Sequence, residues 1–183
     1  MAPAALWYGR PMQLQASIIR GRAALVEVQA EAISVQGFKT GVGSLIKGVQ
    51  TLGHAANKRE QLKATGMLLT SIAALLHAFE EPAASKHAHQ AAQVVSKAMK
   101  SASEAFNLGN LSKIMKEPVK GNGPEENTIN ALKDAMDAIM GANEIVHATK
   151  GQLTKRDAPR LKRYAMSLEN AAVEMMSAAK QLP

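Results

Sequence analysis

The chain of 183 residues contains no cysteine. Disulfides, thiol nucleophiles and thiolate metal sites are excluded with it. Aromatic residues are almost as scarce, at 3%. A core must therefore be assembled from Ala, Leu, Ile, Val and ten methionines, a palette that suits close helix packing better than a sheet sandwich. No segment sustains the apolar–polar alternation of a half-buried strand. A GxGxxG turn behind a strand is missing, as is a GxxxxGK[ST] phosphate loop. Met1 to Gln15 has no continuous apolar run behind a charged start, so no cleaved secretory signal is predicted. Cytoplasmic residence, or export by a route that reads no cleaved signal, is the expectation.

What is present is a rhythm of steps of three and four. It runs through Leu14, Ile18, Gly21, Leu25, Val28, Ala32 and Val35, and returns as Leu161, Ala165, Leu168, Ala172, Met175, Ala179 and Leu182. A third stripe is Ile129, Leu132, Met136, Ile139, Asn143 and Val146. One apolar residue per turn on one side makes an amphipathic helix that needs helical partners. With 46% hydrophobic and 20% charged residues, the chain has enough apolar surface to bury a core. The fold class that follows is all-α, an up-and-down bundle of about five amphipathic helices with no sheet. One domain over residues 1–183 is expected, its candidate subdomain break lying at 118–124.

Helix boundaries follow from caps and breakers. The first helix is predicted from Pro11 to Gln36, with a hinge where Gly37, Gly41 and Gly43 gather, since interior glycine weakens a helix. Ser44 reads as the N-cap of a second helix. This helix carries Leu45, Val49, Leu52 and Ala56, continues through Asn57 to Lys63, and ends at Glu81-Pro82. Ser85 opens an alanine-rich third helix that runs to Phe106 and stops at Gly109, followed by a short piece from Leu111 to Lys116. The fourth opens at Pro124 and stops near Gly151, and Asp157 is read as N-cap of the last. Asn143, a polar residue inside an apolar stripe, either sets register or sits at a wet rim.

The residues offer little for catalysis. His87 and His89 point about 200° apart on a helix, and His77 with Glu80 and Glu81 is the one cluster with ligand-like spacing. Adjacent acids, as in Glu80-Glu81 and Glu125-Glu126, do not face each other. Gly37 to Gly43 is glycine-rich with a lysine, but it follows a helix and lacks the Lys-Ser/Thr pair of a phosphate loop. No catalytic residue, cofactor or metal site is assigned, and the chain is expected not to be an enzyme.

Charge is more informative. Six basic residues between Lys150 and Arg163 (Lys150, Lys155, Arg156, Arg160, Lys162, Arg163) stand against one acid, Asp157, so most of the net charge of +7 sits in one stretch. Such a patch suits an acidic protein, a phosphate backbone or an anionic membrane surface. A protein partner, acidic in character, is the leading expectation. Lys155, Arg156, Arg160, Lys162 and Arg163 are its predicted contacts, and Trp7 and Tyr8 are added as aromatic anchors. Nucleic acid is an alternative, drawing also on Lys113, Lys116 and Lys120, although among the basic residues only Tyr164 is a stacking aromatic. A membrane-active, translocator-like role is another, resting on the apolar run from Ala64 to Phe79, which falls short of the roughly 20 residues a span needs. Pairing with a second copy is a further expectation.

In composition the chain is similar to small proteins exported by bacterial contact-dependent secretion systems: alanine- and methionine-bearing, helical, without cysteine or cleaved signal. That resemblance implies an exported effector or a component of a secretion assembly, acting as a noncatalytic protein–protein interaction module.

Overall fold

The computed structural model describes residues 19–20, 22–26, 28, 36–81, 84, 86–106 and 124–182, and no strand occurs among them. Five long helices carry the fold: α1 (Gln36–His54), α2 (Lys58–Ala78), α3 (Ala88–Phe106), α4 (Pro124–Thr149) and α5 (Asp157–Gln181). Residues 19–20, 22–26 and 28 are helical as well. Trp7, Tyr8, Leu14, Ile18, Gly21, Ala32, Val35, Ser85, Gly109, residues 111–116 and the loop at 118–123 lie outside the described residues. The all-α bundle expected from the stripes is the fold observed.

α2 occupies the middle, packed along α1 on one side and α5 on the other, while α4 lies along the far side of α5. α3 closes the array against α1, α4 and α2. One buried cluster runs through all five helices and takes in Leu25 and Val28. Burying these aliphatic side chains, at about 25 cal/mol per Å² of apolar surface, is what assembles helices that would be marginal alone. The C-terminal stripe is buried from Leu161 to Ala179, and Leu182 is half-buried. Leu68, Leu69, Ile72, Ala73, Leu75 and Leu76 are also buried, so the apolar run of α2 is spent on the bundle interior. No helix among the described residues is long and apolar enough to cross a membrane.

The structure corrects the sequence reading at α1. There is no hinge at Gly37 to Gly43, because α1 runs straight through it and buries Phe38, Gly41 and Val42. Ser44 is an exposed interior residue instead of a cap. Gly41 and Gly48 serve proximity. A Cβ at Gly41 would lie 2.7 Å from Leu75 Cδ2, and one at Gly48 2.9 Å from Leu68 Cδ2. Glycine costs about 1 kcal/mol against alanine in a helix, and here the close α1–α2 contact offsets it.

The break lies further on, at residues 55–57, inside what reads as one continuous helix. Asn57 is an extended N-cap whose side chain accepts from Glu60 N at 2.9 Å, and Glu60 Oε2 accepts from Ala56 N at 2.7 Å. The pair is a variant of the capping box, in which the Glu60 carboxylate reaches the amide one residue before the N-cap instead of that of the cap itself. Asn57→Ala is expected to cost about 1 kcal/mol, with faster amide exchange in the first turn of α2, whereas Ser44→Ala should leave stability within about 0.5 kcal/mol.

Two further details differ. α4 buries the predicted Leu132, Ile139 and Val146 together with Ala131, Ala135, Ala138 and Ala142, but leaves Met136 partly buried and Asn143 exposed. Asn143 Oδ1 nevertheless accepts from Ser96 Oγ of α3 at 3.2 Å. At the start of α5 the capping side chain is Thr154 in place of Asp157. Its Oγ1 accepts from Asp157 N at 3.2 Å and donates to Asp157 Oδ2 at 2.7 Å.

Candidate functional site

The cation-rich stretch is held by the α4–α5 corner. α4 ends at Thr149, and Lys150 (φ 51°) and Gly151 (φ 81°) then turn the chain through the left-handed region. Glycine suits the second of these positions because it lacks a Cβ. Gly151 is also buried against Ala88, whose carbonyl leaves no room for a side chain. Thr154 then caps the start of α5 by accepting from Asp157 N, so the basic side chains project from a helix end seated on the core by Leu161 and Ala165.

Lys155, Arg156, Arg160, Lys162 and Arg163 are all exposed, as is Lys150. Steps of four and three put Arg156, Arg160 and Arg163 along one edge of α5, and Lys155 and Lys162 share a line beside it. Among the described residues Arg160 is the one member of this group with a carboxylate in reach, Asp157 Oδ1 at 3.9 Å. The arginine edge borders α4, since Tyr164, one turn along, lies over Gly141.

Sequence reasoning missed the apolar residues on these same surfaces. Met166 and Val173 of α5 are 50% and 67% exposed, and Met140 of α4 is 69% exposed. The signal was in the stripe itself: Met166 directly follows Ala165 of the buried line and therefore points about 100° away from it. Met176 is different, since its side chain packs over Gly66 of α2.

Several polar groups elsewhere are engaged in structure, while Arg59 Nε and Gln61 Oε1 are buried without a hydrogen-bond partner among the described residues. His77 Nε2 lies 2.9 Å from Glu169 Oε1 of α5, in place of the cluster with Glu80 and Glu81. His89 Nε2 lies 3.2 Å from Gln93 Nε2. Among the described residues no three His, Asp or Glu side chains converge to hold a metal ion. A shallow recess of about 430 Å³ is lined by Gln50, Thr51, His54, Glu60 and Lys63. Its Glu60 is spent on the capping box and its Thr51 hydroxyl donates to Lys47 O at 2.9 Å. The buried hydroxyls of Thr65 and Ser71 likewise donate to carbonyls of their own helix, at 2.7 Å each. None of these groups forms the nucleophile–base pair that covalent catalysis requires.

Comparisons of the chain with protein families, with curated proteins and with solved structures return no match.

Proposed function

We propose that this chain is a noncatalytic helical interaction module whose α5 cation edge docks on an acidic surface of a protein partner. The observation that carries this reading is the set of exposed Arg156, Arg160 and Arg163 in register on a capped helix end, with a single carboxylate within 4.0 Å among the described residues. Guanidinium groups spaced along one helix edge present planar donors suited to two-pronged contact with carboxylates. Electrostatics of this kind steers and selects a partner more than it adds raw affinity. The compositional likeness to small exported proteins suggests an effector or a secretion-assembly component as the setting.

Nucleic acid is less well served by the same surface. Tyr164, the aromatic among these cations, has its ring over Gly141 and so is occupied within the bundle, whereas single-strand binders use free aromatic platforms. Affinity capture from nuclease-treated lysates compares the chain with an Arg156→Glu, Arg160→Glu, Arg163→Glu variant. A discrete protein that survives nuclease and moderate salt, and is lost with the variant, is the expected result. Recovery of nucleic acid alone, removed by nuclease or salt, would refute the proposal and make phosphate binding the function.

A further inference from the structure

We infer that the acidic surface met by the arginine edge is that of a second copy of this chain, in a two-fold pairing through the exposed faces of α4 and α5. The inference rests on the reading of α5 as a docking edge and names its partner. α4 and α5 are joined by a short corner and run antiparallel, and the tip of the Tyr164 ring lies over Gly141. That contact places Met140 and Met166, 69% and 50% exposed, within about one helical turn of the same height. From this level α5 carries Arg163 and Arg160 towards the α4–α5 corner, about 4.5 and 9 Å away at 1.5 Å per residue. In the opposite direction α4 carries exposed Asp137 and Asp134, again about 4.5 and 9 Å away.

The surface is thus positive at one end and negative at the other, with Met140 and Met166 on its two outer flanks midway along. Glu144 near the basic end and Lys133 near the acidic end, both exposed, soften this polarity without reversing it. A two-fold axis through the methionine level superposes opposite ends. Arg163 of one copy comes level with Asp137 of the other, and Arg160 with Asp134. Each contact occurs twice, as an isologous interface requires. Midway along the flanks the methionines meet their counterparts, and flexible thioethers suit a contact that must adapt.

Sedimentation velocity at protein concentrations from about 1 µM to 1 mM tests this with two charge reversals, Arg160→Glu with Arg163→Glu and Asp134→Lys with Asp137→Lys. The unaltered chain is expected to dimerise with rising concentration. Each reversal, placing like charges opposite one another, should raise the dissociation constant at least about tenfold. An equimolar mixture of the two reversed chains should recover the dimer, because both contacts then pair opposite charges. The fourfold variant should recover it as well. Unchanged far-UV circular dichroism establishes that each variant is folded. A monomer throughout the range, a dimer indifferent to both reversals, or a mixture that stays monomeric would overturn the inference. Capture of an acidic protein through the same arginines by a monomeric chain would leave the docking proposal standing while this inference falls.

Discussion

Phe38→Ala is expected to destabilise the protein by about 3–5 kcal/mol, which lowers the thermal midpoint by roughly 10 °C for a chain of this size. Phe38 is fully buried and its ring meets that of Phe79 edge-on, with centroids 5.4 Å apart and planes at 86°. Truncation loses the transfer free energy of the ring, the edge-to-face contact and the packing around the space left behind. With aromatics at 3% of the chain, little else in the core can refill that volume. The measurement also decides between two views of α1. A flexible glycine hinge at 37–43 would leave Phe38 partly solvated and the loss below about 1 kcal/mol. Val173→Ala, at a site 67% exposed, serves as the control and should stay within about 0.5 kcal/mol.

Gly151→Ala is expected to cost on the order of 3 kcal/mol, read from the urea midpoint at unchanged slope. Two penalties combine. A residue with a Cβ at φ 81° loses about 1–2 kcal/mol, and the added methyl runs into the Ala88 carbonyl, so the start of α3 must move away from the α4–α5 corner at a further cost of about 1–3 kcal/mol. Ala88→Gly introduced alongside should not rescue the loss, because the obstruction is backbone. Rescue by it would show that the Ala88 side chain, and not its carbonyl, sets the spacing. Since the corner also carries Lys155 and Arg156, the Gly151→Ala variant is expected to weaken partner capture in proportion to its loss of folded protein.

The helices were legible where one residue type could do only one thing. Leu161 through Ala179 repeat at steps of three and four, and every member is buried, because a stripe that regular has no other stable arrangement in water. Gly151 was legible as a stop because it stands just past the end of a periodic run, where a left-handed residue closes a helix. Gly41 and Gly48 were not, since glycine serves equally as a hinge and as a seat for a neighbouring helix. The choice between them was made by Leu75 and Leu68, distant in sequence. Asn57 and Glu60 carried a readable cap signal, which the length of the surrounding helical pattern obscured.

The candidate site divides along the same line. The concentration of charge between Lys150 and Arg163, and the exposure of Lys155, Arg156, Arg160, Lys162 and Arg163, were contained in composition and spacing. That Asp134 and Asp137 lie along the neighbouring helix at matched heights, with Met140 and Met166 between the two ends, depends on the α4–α5 register that Gly141 and Tyr164 set. By itself the amino-acid sequence determined the helical class, the buried face of α5 and the charge of its first turns, because these depend on the 3.6-residue period and on local composition. Only the tertiary structure decided which glycines bend and which pack, where α1 ends, and which charges share a surface. Those outcomes rest on contacts between residues far apart in the chain, whose energies local spacing does not carry.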